Sequence, residues 1–236
     1  MAHSNFVQEG TYPVVQFQEP GGLQGGYAAL GPVQAPIHFQ EGQWLWVVSK
    51  ATRSLNVYYF TGKIWEKKKS FPIAYGEKEG NKQRLGDLKT PEGNYWVNNM
   101  IPGTARGKRY GALIFSLNFP NAQDKAEGKT GAGIWIHGPE FGEGLEATRG
   151  CIKLSNKHLL ELLKNCRGPI PVKILGKDRL SMHPANLDID WVAKEFPLWK
   201  SRYERHSFLT LDWRKEIYYK ARAHVQKEQS WIESRS

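Results

Sequence analysis

Two side chains in this sequence are spaced to do chemistry together. His137 ends a short apolar run, "GIWIH", and Cys151 follows fourteen positions later inside "TRGCIKL". The chain has only two cysteines, and this one lies between Gly150 and Ile152, with Arg149 two residues before it and Lys153 two after. A thiol becomes a nucleophile once deprotonated, and nearby positive charge and a base raise its thiolate fraction. In an extended segment residues i−2 and i+2 share a face with residue i, so an extended reading puts Arg149 and Lys153 on the thiol side. Gly150 removes a side chain beside the sulfur and leaves room for a substrate carbonyl. The N–H groups of Gly150 and Cys151 are candidate donors to an oxyanion. A histidine at a strand end is rigidly held, and residues 138–150 can fold back to bring Cys151 to it. Such a pair suits acyl transfer through a thioester. Taken by itself, Cys151 also reads as a buried structural cysteine after a turn.

Other thiol chemistries fit less well. Papain-like enzymes place Cys before His, the reverse of the order here. A sortase has its Arg downstream of a strand-borne Cys, which the TRGC turn does not match. His137, Cys151, His158 and Cys166 lack the pairwise spacing of a zinc site, so the pattern calls for no metal and no cofactor. Cys166, after a run of leucines, reads as a core residue, and a bond from it to Cys151 would silence the nucleophile. His3, His38, His183, His206 and His224 read as surface or packing residues.

The elements that must position the pair are mostly strands. "WLWVVSK", "SLNVYYF" and "IWEKKKSFPIAY" are aromatic and β-branched, are separated by short turns, and predict an antiparallel meander with lysines on its wet side. "GNYWVNNM", "ALIFSLNF", "GIWIH" and "PVKIL" continue the series, which argues for a sandwich or barrel and against a doubly wound sheet. One helix over about 156–166 is expected, with Ser155 as N-cap, leucines on one face and Gly168-Pro169 as its stop. Beyond about 185, Val192, Phe196, Trp199 and Tyr203, then Trp213, Ile217, Ala221 and Val225, recur at helical spacing. These stripes predict packing against the main domain or a partner. The reading is a mainly β fold with helical additions, in three parts: a Gly/Pro-rich extended segment over 1–43, a catalytic domain over 44–177 and a helical extension over 178–236.

Composition narrows the function classes. The 236 residues suffice for one sizeable domain with extensions, and 40% of them are apolar. No run of ~20 apolar residues is present, so no membrane span is expected. The first residues carry neither a basic nor an apolar signal pattern. The formal charge is +10, and between Lys63 and Arg109 eleven Lys or Arg face five acidic residues. That field would draw polyanions or carboxylate-rich ligands. No helix-turn-helix, zinc-finger or RNP-like pattern accompanies it, so a solvated basic face is preferred and nucleic acid is not expected as a partner.

The assembled motifs resemble the catalytic domain of the L,D-transpeptidase (YkuD-type) family, Gram-negative members included. Ile136-His137-Gly138 matches the histidine strand of that family. Thr148-Arg149-Gly150-Cys151-Ile152-Lys153-Leu154 matches its cysteine motif, and Gly86-Asp87-Leu88-Lys89-Thr90-Pro91-Glu92-Gly93 resembles its upstream G-x-x-x-T-P-x-G turn. The likeness covers about 44–177. It implies a β-rich, sandwich-like or partly barrel-like domain in which Cys151 is the nucleophile and His137 the base. Thr148, Arg149, Gly150, Gly138 and Lys153 would line the substrate and oxyanion side. It further implies peptidoglycan stem peptides as substrate, acylation by carbapenems, and a periplasmic or cell-envelope location. Lys153 stands where the family usually has Arg, a point charge in place of a bidentate fork. That departure keeps an L,D-carboxypeptidase or related hydrolase open beside the transpeptidase. An inactive wall-binding module, with Trp44, Trp46, Trp65 and Trp96 stacking on sugars, is a third reading. The C-terminal helices are left to a dimer or partner surface.

Overall fold

The computed structural model describes residues 39–165, 170–178, 185–197 and 211–235. Most of the N-terminal segment, together with Cys166, Gly168-Pro169, Trp199, Tyr203 and the side chain of Trp213, lies outside the described residues. So do His3, His38, His183 and His206.

Among the described residues nine strands follow in chain order: β1 (Trp44–Ser49), β2 (Ser54–Phe60), β3 (Trp65–Pro72), β4 (Gly93–Pro102), β5 (Leu113–Leu117), β6 (Trp135–His137), β7 (Ile152–Lys153), β8 (Pro171–Leu175) and β9 (Asn186–Leu187). They form one curled sheet, a half-barrel, in the order β7-β6-β5-β4-β8-β1-β2-β3-β9. The 44–72 meander is antiparallel, as its turns require. The two parallel pairs are β1 with β8 and β6 with β7. Strand β4 belongs to both halves. It pairs with β8 through Gly93–Trp96 and with β5 through Val97–Pro102, and its register shifts between Val97 and Asn99. Such an irregularity bends a strand and lets one sheet curl.

The central strands are buried on both faces, and strand alternation explains how. In β1, Trp46 and Val48 enter one core, while Leu45 and Val47 enter another. Helices cover both sides. Helix α2 (Asn156–Asn165) and helix α4 (Leu211–Glu233) pack on the first core through Leu159, Leu163, Ile217 and Ala221. Helix α3 (Ile189–Glu195) packs on the second through Val192. A short α1 (Ala122–Ala126) lies between β5 and β6. Ser155 accepts from the His158 N–H at 3.3 Å, an N-cap bond for α2. Trp46 and Trp65 are fully buried, and truncating a buried ring of this size costs about 3–5 kcal/mol. Among the described residues no helix is long and apolar enough to cross a membrane.

Candidate active site

The site forms where β6 and β7 run side by side. Ile136 pairs with Ile152 and His137 with Lys153, in parallel. Both isoleucines point into the core at 0% exposure. Alternation therefore sends Trp135 and His137, with Cys151 and Lys153, to the opposite face. The thirteen residues between His137 and Cys151 close as a loop, and the pair ends on one surface of two adjacent strands.

The imidazole is fixed by its own strand end. His137 Nδ1 lies 2.7 Å from the Gly138 carbonyl. A carbonyl only accepts, so Nδ1 carries the proton and Nε2 is left with its lone pair. Burial pulls the His137 pKa below the ordinary value. The Gly138 bond and Glu143 oppose that, and the Lys153 charge adds to it. The ring is thus a neutral base at pH 7. Tyr110 stands edge-on to it at 5.2 Å and to Trp135 at 5.0 Å, an aromatic wall beside the pair. This carbonyl is the orienting group that local sequence does not reveal, because a backbone acceptor leaves no residue signature.

The thiol sits one step back along β6. Cys151 Sγ donates to the Gly133 carbonyl at 3.4 Å rather than to His137. Burial raises its pKa, while a backbone hydrogen bond from Trp135 and the charge of Lys82 pull it down. Cys151 is a free thiol and half-buried. The thiol is thus held by the chain just before β6, at the Gly133 carbonyl.

Three braces hold the turn before Cys151. The Thr148 hydroxyl donates to the Cys151 carbonyl at 2.6 Å and accepts from the Gly150 N–H at 3.1 Å. The Gly150 N–H is thereby engaged inside the turn. The fully buried Thr90 hydroxyl donates to the Gly150 carbonyl at 2.9 Å and accepts from the Gly76 N–H at 2.9 Å. Gly150 itself has φ +131°, and a Cβ there would lie 2.8 Å from the Lys89 carbonyl. Only glycine suits both conditions. The same φ turns the chain between Arg149 and Cys151, so Arg149 is exposed and the extended geometry does not reach it. Lys153 is buried and approaches Glu143 at 3.8 Å across the loop that follows His137.

The upstream turn supplies the scaffold for these braces. Asp87 accepts from the Gln83, Arg84 and Lys89 N–H groups and pairs with Lys82 at 2.7 Å. Burial raises its pKa, but Lys82 and the three N–H groups outweigh that and hold Asp87 well below the usual carboxylate range. Buried Lys50 pins the far side, donating to the Thr90 carbonyl at 2.5 Å and the Gly80 carbonyl at 2.9 Å and pairing with Glu92 at 2.9 Å. The Lys82 charge lowers the thiol pKa, a smaller effect than burial and the Trp135 hydrogen bond.

These features match a known family. A family model described as the YkuD L,D-transpeptidase catalytic domain matches residues 43–176, more than half of the chain. The chain belongs to the YkuD family. Among its relatives is the Escherichia coli (strain K12) protein named "Putative L,D-transpeptidase YafK", 30% identical over 170 residues, which cover 67% of this chain and 61% of that protein. The crystal structure of the helical cell shape determining protein Pgp2 from Campylobacter jejuni superposes with TM-score 0.54 at 30% identity, covering 67% of this chain and 56% of that one. Bdellovibrio bacteriovorus Bd1075 superposes with TM-score 0.52 at 26% identity, covering 68% and 58%. This YkuD chain thus spans about three-fifths of the length of these relatives. A cavity of about 330 Å³ lined by Trp44, Tyr59, Phe71 and Leu162 includes none of the site residues.

Proposed function

We propose that this YkuD domain is a cysteine acyltransferase acting on peptidoglycan stem peptides in the cell envelope, most naturally the periplasm. The observation that carries the reading is the imidazole with Nδ1–H held on Gly138 and Nε2 free, on the same face as Cys151. Cys151 swings off Gly133 and gives its proton to His137 Nε2. The sulfur attacks the carbonyl of the L-centre residue of a tetrapeptide, typically meso-diaminopimelate. The imidazolium protonates the departing amine of the terminal D-alanine, and a thioester remains on Cys151. An amine acceptor then gives its proton to His137, attacks the thioester and expels the thiolate. Trp135 and Lys82 stabilise that thiolate. The Cys151 N–H and Thr148, Gly150 and Gly138 line the acyl group.

A second reading discharges the same thioester to water, as an L,D-carboxypeptidase or related hydrolase. Lys153 favours it: the residue is buried, approaches Glu143, and offers no guanidinium fork to a substrate carboxylate.

The test is incubation with disaccharide-tetrapeptide, with and without a second stem, followed by mass spectrometry. Cross-linked products that vanish in Cys151→Ala establish the transpeptidase. Tripeptide and free D-alanine without dimers establish the carboxypeptidase. No product, with binding retained, moves the weight to a wall-binding module. Cys151→Ala is expected to melt within about 1 kcal/mol of the parent, since the sulfur makes only a weak bond.

A further inference from the structure

Helix α4 enters one core through Ile217 and Ala221, yet its C-terminal half turns toward the loop that follows His137. His224 lies tilted against Phe141 with ring centroids 4.4 Å apart. Trp231 packs so closely over Gly142 that a Cβ there would lie 2.6 Å from the indole. Between them Glu228 accepts from Asn156 Nδ2 at 3.0 Å. Positions 224, 228 and 231 share one helix face. Asn156 is 1% exposed and joins three parts of the chain. Its Oδ1 accepts from the Ala112 N–H at 2.7 Å, and its Nδ2 also donates to the Pro139 carbonyl at 3.1 Å. It is wedged so tightly that a Cβ on Gly138 would meet Oδ1 at 1.9 Å. Gly138 in turn carries the carbonyl that orients the imidazole.

We propose that α4 is a clamp on the histidine loop, with Glu228 as a positioning residue that acts through Asn156 and Gly138 on His137. The helix holds Phe141 and Gly142 from outside, and Glu228 locks the amide that sets where the Gly138 carbonyl points. The kinetic consequence rests on the acyltransferase reading; the geometric one does not.

The experiment compares Glu228→Ala and Glu228→Gln in the full chain, with circular dichroism and thermal melting as fold controls. Gln keeps a carbonyl that accepts from Asn156; Ala keeps nothing. Expected for Glu228→Ala is a kcat on disaccharide-tetrapeptide lower by about tenfold at little changed KM, below the ~10²-fold of a full 1 Å misplacement. Glu228→Gln stays within about twofold of the parent. The independent readout is the ¹⁵N resonance of the His137 Nδ1–H. It broadens or shifts in Glu228→Ala and keeps its parental position in Glu228→Gln. If the parent turns over no stem peptide but the resonance responds this way, the clamp stands and the acyltransferase reading falls. A parental resonance in Glu228→Ala overturns the clamp, whatever the kinetics. If Glu228→Ala loses its fold, Trp231→Phe, which thins the contact on Gly142, is read by the same resonance, and no response there overturns the clamp too.

Discussion

Replacing Gly138 by Ala tests how the histidine is held. The backbone there is not left-handed, so the substitution acts through space alone. The new Cβ would lie 1.9 Å from Asn156 Oδ1 and 2.9 Å from its Cγ. Real Cβ contacts respect 3.0 Å, so about 1.1 Å of movement is required. Asn156 cannot supply it cheaply, since Ala112, Pro139 and Glu228 all hold its amide. The movement therefore falls largely on Gly138, whose carbonyl sits 2.7 Å from His137 Nδ1. A displacement near 1 Å at a catalytic base costs on the order of 10²-fold in rate. Overpacking of this kind destabilises by about 1–3 kcal/mol. The assay is single-turnover thioester formation on Cys151 with disaccharide-tetrapeptide, alongside chemical denaturation. Ala at 138 with parental acylation and parental stability would refute the argument that Asn156 and Gly138 fix the imidazole.

Thr90→Val keeps the shape but leaves the Gly150 carbonyl and the Gly76 N–H without their partner. A loss of about 2–4 kcal/mol in denaturant unfolding is expected, with slower acylation of Cys151. A carbapenem should add its mass to the intact protein, and the adduct should be absent from Cys151→Ala; an adduct on both variants would place it elsewhere. Because burial raises the Cys151 pKa, alkylation by iodoacetamide should climb through and above pH ~8.5, with no plateau at neutral pH. His137 has its folded pKa depressed, so the unfolded chain binds more protons below ~6.5. Stability should be complete above that pH and fall as pH drops through it, by up to about 1.4 kcal/mol per pH unit from this residue. His158 and His224, also depressed by burial, act in the same direction. Flat unfolding free energies between pH 7 and 5 would remove that account.

Much of the fold was legible because local pattern and local structure coincide. The aromatic and β-branched runs at 44–60 are strands since alternate side chains in them find a core on each face. Ser155 is readable as a cap because an N-cap needs only a hydroxyl three residues before an N–H. The types and order of His137, Gly150 and Cys151 were also visible, since a motif is a local string. The parallel register of β6 with β7, the Gly138 carbonyl, Thr90 under Gly150, the Lys82 charge acting on the thiol and Glu228 on Asn156 were not. Each joins atoms by backbone or across separations up to 72 residues, and such contacts exist only once the chain has closed. Arg149 shows the difference most simply. By sequence it neighbours Cys151, but the positive φ of Gly150 turns it to solvent, and the charge of a lysine 69 positions upstream is the one that lowers the thiol pKa. The sequence by itself determined which residues are chemically capable and which segments are strands. The tertiary structure decided which charges and carbonyls meet them, because electrostatics and hydrogen bonds depend on distance through space and not along the chain.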